Sequence, residues 1–120
     1  MLPDSRMIVR DYVRADGGSP FATWFESLES RAAAKVATAL IRLEAGNLSS
    51  LKSLGGGLAE LRIDWGPGYR LYLHRDGDEL IVLFTGGTKR RQQRDVDRAR
   101  ELLAEYKARK AEGGGPQRKR

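Results

Sequence analysis

The spacing of apolar residues changes along this 120-residue chain, and that change constrains the fold more than any other feature. Between residues 20 and 45 apolar side chains recur every three or four positions, whereas from Leu58 onwards they alternate with polar ones. An α-helix turns once in 3.6 residues and a strand repeats every two residues. The sequence therefore predicts helices first and an antiparallel sheet after them.

Capping residues mark the ends of the first two helices. Ser19 followed by Pro20 is typical of a helix start, because serine caps the first free N–H groups and proline fits the first turn. Ser30 is the predicted cap of a second helix over residues 31–45, and Gly46 is placed to end it.

The remaining elements follow from the two-residue period and a final helical pattern. Strands are predicted over residues 8–13, 58–65, 69–74 and 80–85, the last ended by Gly86-Gly87, and a final helix over residues 91–109. The predicted fold class is α+β: an N-terminal strand, two helices, a three-strand antiparallel meander and a C-terminal helix, with the helices on one sheet face.

A chain of this length forms one domain. We expect a flexible lead over residues 1–6, a single domain over residues 7–111 and a disordered, basic, glycine-rich tail over residues 112–120. The longest apolar run, residues 80–84, is far shorter than the roughly 20 residues that span a membrane, and no signal-peptide pattern is visible. The sequence predicts a cytoplasmic protein without membrane contact.

Composition excludes several kinds of chemistry. The chain has no cysteine and one histidine, His74, which excludes disulfide scaffolds, thiol nucleophiles and two-histidine metal sites. His74 itself is interpreted as a surface residue. The glycine runs lack the Gly-Lys-Ser/Thr of a phosphate-binding loop, and no carboxylates have metal-ligand spacing. We expect neither a metal nor an organic cofactor.

Positive charge is concentrated near the C-terminus. Residues 1–84 carry 10 basic and 11 acidic side chains, whereas residues 85–120 carry 12 basic and 5 acidic. Such asymmetry favours a polyanionic partner, because neutralising phosphates releases counterions. A solvated basic helix with a loose tail is the alternative interpretation.

Alternation places a set of polar and charged side chains on the sheet face opposite the helices, pointing away from the core: Glu60, Arg62, Asp64, Arg70, Tyr72 and His74, joined at the edge by Lys89, Arg90 and Arg91. One arginine guanidinium can bind two phosphate oxygens at once, and a tyrosine ring can stack on a base. This face therefore fits a phosphodiester backbone. The predicted RNA contacts are Lys52, Tyr72, Arg91 and Arg94. The alternative is an ordinary solvated face on which Arg62 pairs with Glu60 or Asp64.

Several short motifs together resemble a known family. They are Glu60-Leu61-Arg62-Ile63, Gly66-Pro67-Gly68-Tyr69-Arg70, Gly86-Gly87-Thr88-Lys89 and Gln93 through Asp95. In combination they resemble the HigB-like addiction module killer proteins of the RelE/ParE toxin superfamily, over about residues 7–108.

This resemblance implies a type II toxin silenced by a small helix-turn-helix antitoxin (HigA-like), with a heterotetramer as the candidate assembly. It implies a metal-independent endoribonuclease that cleaves mRNA on the ribosome, the ribose 2′-OH attacking the adjacent phosphate. By correspondence with the family motifs, the catalytic residues would be Arg62, Arg70, Lys89 and Arg90.

One position departs from the family pattern. Related toxins often carry a tyrosine or histidine on the last helix where this chain has Val96. The proton acceptor would then be Glu60, Asp64, Tyr72 or the ribosomal RNA. Two other functions stay open: a ParE-like inhibitor of DNA gyrase, and a catalytically decayed toxin that acts as a partner-binding module.

Overall fold

The computed structural model describes residues 6–113 and 117–119. In this part of the chain the elements are, in order, β1 (Ile8–Tyr12), α1 (Pro20–Glu26), α2 (Ser30–Glu44), β2 (Leu51–Gly55), β3 (Leu58–Ile63), β4 (Tyr69–Asp76), β5 (Leu80–Thr88), a 3₁₀ turn (Lys89–Arg91), α3 (Gln92–Ala111) and β6 (Gln117–Lys119).

The strands form one mixed sheet in the order β2-β3-β4-β5-β1-β6. Strands β2 to β5 are antiparallel neighbours, whereas β1 lies parallel to β5, with Ile8 opposite Leu80. Helices α1 and α2 lie between β1 and the meander in the chain. The α+β class is confirmed, but the meander has four strands rather than the predicted three.

Strand β2 escaped prediction because its side chains show no visible alternation. Leu51 and Leu54 are half-buried and pack against opposite faces of the sheet, and a bulge between Ser53 and Gly55 shifts the register. The three glycines that follow have φ of 87°, 65° and 92° at positions 55–57, which side chains rarely adopt. They form the turn that joins β2 to β3.

Helices cover both faces of the sheet, so the prediction of helices on one face is wrong. Helices α1 and α2 pack on one face around a core that includes Phe21, Val36 and Leu71. Helix α3 packs on the other face, where Tyr72 and Leu102 belong to a second core. The physical reason is β5, which is apolar on both sides and needs cover on both.

Strand β5 continues through the glycines that were expected to end it. Gly86 pairs with Leu71 and Gly87 with Arg70, and the strand runs on to Thr88. A Cβ at Gly86 would overlap the ring of Trp24 on α1. The glycines therefore allow close packing inside the strand rather than breaking it.

The helix ends agree with the sequence apart from one cap. Ser19 caps α1 by accepting a first-turn N–H at 3.2 Å, and Gly46, with φ of 88°, follows the end of α2 as predicted. Helix α2 begins one residue earlier than expected. Its cap is Glu29, whose Oε1 accepts the N–H of Ala32 at 3.1 Å, rather than Ser30.

The two ends of the chain are described only in part. Of the predicted lead, residues 1–5 lie outside the described residues. The expected disordered tail is wrong for Gln117–Lys119, which pairs with β1 as an antiparallel strand, while residues 114–116 and 120 lie outside the described residues. Within the described ranges no helix combines the length and apolar character that crossing a membrane requires.

Candidate nucleic-acid interface

A buried carboxylate organises the polar side chains between the sheet and α3. Glu60, in the middle of β3, is fully buried. Its Oε1 accepts a 3.0 Å hydrogen bond from Arg62 Nε, and its Oε2 accepts one of 2.8 Å from Gln92 Nε2. Arg70 Nε lies 3.7 Å from the same Oε2. Glu60 therefore ties two arginines to the first residue of α3.

The surroundings of Glu60 keep it ionised. Burial by itself raises the pKa of this carboxyl, but the hydrogen bonds from Arg62 and Gln92 and the nearby charge of Arg70 outweigh burial and hold the pKa below its ordinary value. The pairing of Arg62 with Glu60 is the one that the solvated-face alternative anticipated. The face itself is solvated only in part, since α3 packs over Tyr72 while Arg62 stays exposed.

The two arginines lie directly opposite each other in the β3–β4 ladder. The side chain of Arg62 is 46% exposed, whereas that of Arg70 is 7% exposed. The expectation that both point away from the core is therefore wrong for Arg70. The pair presents one accessible guanidinium and one that is buried.

The end of β5 adds exposed cations beside this pair. Lys89, Arg90 and Arg91 are exposed in the 3₁₀ turn, and Arg94 is exposed in the first turns of α3. The Lys89 N–H donates to Gly68 O at 3.0 Å, which fixes the turn against the loop before β4. A Cβ at Gly68 would lie 3.7 Å from Lys89 Cβ and 3.8 Å from Arg70 Nη1. Gly68 thus lies between the side chains of Lys89 and Arg70.

Lys52 lies on the outer strand of the same face. It pairs directly with Glu60 in the β2–β3 ladder and is exposed. Because directly paired residues share a face, Lys52, Glu60 and Tyr72 form one row across three strands. Lys52 is therefore accessible on the face predicted from alternation.

Tyr72 is not available to stack on a base. Its side chain is fully buried beneath α3 with Phe84 and Leu102, so the prediction of an RNA-stacking role is wrong. Its hydroxyl has no hydrogen-bond partner among the described residues. Burial, followed by the neighbouring Glu60 and Asp95 charges, raises the pKa of Tyr72 well above its ordinary value.

His74 has a structural role further along β4, where it pairs with Leu58. Its Nδ1 lies 2.7 Å from Gly57 O, and its ring meets that of Tyr106 edge-on. It is half-exposed and far along β4 from Arg70. In the described part of the chain no three acidic or histidine side chains are grouped so as to hold a metal ion.

Comparison with known proteins gives a relative without a stated function. A Haemophilus influenzae protein described as uncharacterized is 41% identical over 86 residues, which cover 71% of this chain and 87% of that protein. The chain belongs to the same family as this protein. No protein-family model matches the chain. The relationship therefore adds no substrate or activity to the geometry.

The candidate proton acceptors in this chain differ in their accessibility to solvent. Glu60 is inaccessible and its lowered pKa makes it a weak base, while Tyr72 is buried and protonated. Asp64, just beyond β3, is exposed. Val96 is half-buried against the α3-side core. Asp64 is thus the member of the original set that solvent reaches.

Two residues of α3 were missed by sequence reasoning. Gln92 holds Glu60, as described above, and Asp95 lies half-buried against Gly87 in β5. Burial raises the pKa of the Asp95 carboxyl, against the opposing charges of Arg94 and Arg91. The signal in the sequence was Gly87, since a glycine inside a buried strand marks a close approach by another group.

Proposed function

We propose that this protein is the toxin of a type II toxin–antitoxin pair and a metal-independent endoribonuclease that cleaves mRNA on the ribosome. The observation that carries the proposal is the opposed pair Arg62 and Arg70, bound to buried Glu60 and bordered by Lys89 and Arg90. The motif resemblance supplies the antitoxin partner, a helix-turn-helix protein that binds the toxin as a candidate heterotetramer.

In the proposed reaction the ribose 2′-oxygen attacks the adjacent phosphorus while the bond to the 5′-oxygen breaks. The 2′-OH proton passes to a base, and the leaving 5′-oxygen takes up a proton. Negative charge grows on the phosphate oxygens in the transition state, so fixed cations lower the barrier. Asp64 and a group of the ribosomal RNA are the candidate bases.

Arg62 is suited to contact the reacting phosphate. Its Nε is engaged by Glu60, which orients the guanidinium, and its side chain is nearly half exposed. Because its Nε is already held, the guanidinium has less rotamer freedom to lose when it binds a phosphate. Arg70 is too buried for the same contact, and its part is to add positive potential and to hold Glu60 in place.

The exposed cations of the 3₁₀ turn fit the RNA backbone on either side of the cleaved bond. Lys89, Arg90 and Arg91 are consecutive and exposed in the 3₁₀ turn that leads into α3. They would supply affinity without sequence readout.

Induced expression in a bacterial host tests the proposal. Wild-type protein is expected to arrest growth and to create new mRNA 5′ ends within minutes, while Arg62→Ala lowers cleavage by about 10²-fold, as for loss of one transition-state donor. Arg75→Ala is the matched control, because Arg75 is exposed at the far end of β4.

Other outcomes of this experiment would assign the protein a different function. Growth arrest with intact mRNA and damaged DNA would indicate a gyrase inhibitor. Absence of arrest, with a correctly folded protein, would indicate a binding module. Equal loss of cleavage in Arg62→Ala and Arg75→Ala would contradict the assigned site.

A further inference from the structure

A groove opens beside the arginine pair, on the other side of β3. It encloses about 330 Å³ between α2 and the end of β3. Lys35, Thr38 and Arg42 line it from α2, and Asp64 and Trp65 line it from the segment after β3. This volume falls in the range of about 300–1,000 Å³ that is usual for small-ligand sites.

The groove and the arginine pair share a residue. Leu51, the first residue of β2, pairs with Leu61, so Arg62 and Ile63 extend past the end of β2. At this uncovered end of the sheet Arg62 lines the groove while its Nε binds Glu60 on the other face. The groove therefore adjoins the proposed cleavage site at Arg62.

The lining of the groove has the mixed chemistry of a nucleotide site. Apolar groups form part of the wall, contributed by Ala39, Leu43, Leu61 and Ile63. Lys35 and Arg42 place two positively charged residues on its lining against the one negative charge of Asp64. An apolar wall suits a base, and the cations suit the phosphates that flank it.

The connection between α2 and β2 adds neutral hydrogen-bonding groups. Asn47 and Ser50 line the groove and are exposed. An amide both donates and accepts, which allows it to bind the polar edge of an unpaired base. These neutral groups at the rim of the groove allow it to distinguish one base from another, in addition to the charge that attracts phosphate.

We propose that this groove binds one unstacked nucleotide of single-stranded RNA, next to the phosphate that Arg62 contacts. The inference rests on the proposed function and deepens it, because it locates where the neighbouring base is held. Arg42 and Lys35 bind the flanking phosphates, and Asn47 contacts the base edge.

Binding and cleavage are measured separately to test this. The probe is a fluorescein-labelled oligoribonucleotide of about eight nucleotides with every 2′-OH methylated, which blocks the proposed nucleophile. Fluorescence anisotropy gives its Kd, and an unmodified copy gives kcat and KM for cleavage. The variants are Arg42→Ala, which removes a charge, and Thr38→Trp, which fills the groove from an exposed position without changing charge.

Arg42→Ala and Thr38→Trp are expected to weaken binding about tenfold and to raise KM with kcat unchanged, while the matched charge control Arg75→Ala leaves both near the wild-type values. Arg42→Ala also lowers the salt slope by about 0.7. Asn47→Ala is expected to reduce discrimination among oligonucleotides of different base.

Two results would overturn the inference. If wild type cleaves RNA and both groove variants bind like Arg75→Ala, the groove holds no nucleotide although the nuclease proposal survives. A different result concerns the proposed function alone: if wild type binds the methylated probe but never cleaves the unmodified one, the nuclease proposal fails. The Kd values of the two groove variants then decide whether the groove binds a nucleotide. The second overturning result is the following. Weaker binding by Arg42→Ala and Arg75→Ala alike would show a general charge effect and count against the groove.

Discussion

The carboxylate of Asp95 lies against the backbone of Gly87, so that a Cβ at position 87 would be 2.7 Å from Asp95 Cγ. This contact joins the first turn of α3 to β5 directly opposite Arg70. It leaves no room for any side chain on the strand at this point. This close contact fixes the distance between the start of α3 and the strand that pairs with Arg70.

Gly87→Ala should therefore destabilise the protein. The added methyl group must displace α3 or the strand, and overpacking of this kind costs about 1–3 kcal/mol. Urea unfolding would measure the loss. Asp95→Ala in the same chain removes the clash and should restore most of the stability, whereas additive losses would show that the two residues do not meet.

Asp95→Asn should stabilise the protein at pH 7. Because burial raises the pKa of Asp95 in the folded state, the folded protein holds this proton more tightly than the unfolded chain does. The contribution of Asp95 is most favourable below its ordinary pKa of 3.8 and becomes unfavourable as the pH rises through the folded-state pKa. The variant's advantage in urea unfolding should disappear below pH 3.8. Lower stability of Asp95→Asn at pH 7 would contradict this account.

Glu60→Gln should lower stability by about 3–5 kcal/mol, since it leaves the buried Arg70 without a counter-charge. Thermal unfolding followed by circular dichroism measures the change. Arg70→Met combined with Glu60→Gln removes the unpaired charge and is expected to recover part of the stability. If the double variant is less stable than Glu60→Gln alone, the ion pair is not the reason for the loss.

Two tyrosines of the core between the sheet and α3, Tyr72 in β4 and Tyr106 in α3 itself, should respond oppositely to loss of their hydroxyl groups. Tyr72→Phe removes a buried hydroxyl that lacks a partner among the described residues and should be neutral or stabilising. Tyr106→Phe loses a 2.5 Å hydrogen bond to Asp76 and should cost about 1 kcal/mol. Chemical unfolding of both variants tests the pair. A clear loss in Tyr72→Phe would reveal a partner for its hydroxyl.

The sequence predicted elements where one periodicity ruled the whole segment. The 3.6-residue pattern of α2 and α3 and the alternation of β3 and β4 all gave the correct element type. Sequence periodicity gave the wrong answer where burial depends on helices packing against both faces of the sheet. Glu60, Arg70 and Tyr72 look like an outer face in the sequence, yet all three are buried, and α3 contacts Glu60 through Gln92 and packs with Tyr72.

The candidate site was predictable as a set of residues but not as an arrangement. Alternation placed Arg62 and Arg70 on one face, and the ladder does set them opposite each other. Their unequal exposure, 46% against 7%, depends on tertiary packing, which no local pattern encodes. Gln92 was missed for the same reason, since its bond to Glu60 joins elements distant in the chain.

Strand β1 precedes the other described strands in the chain but pairs with β5, which follows the two helices and three further strands. Ile8 pairs with Leu80, so this strand waits for both intervening helices and the meander before it can join the sheet. Such distant pairings form slowly. The contact of Gln92 with Glu60 comes later still, once the last helix has been synthesised. The counter-charge that holds both arginines is therefore fixed to α3 only after β1 to β5 have all been made, so the cation cluster is among the last parts of the described fold to be organised.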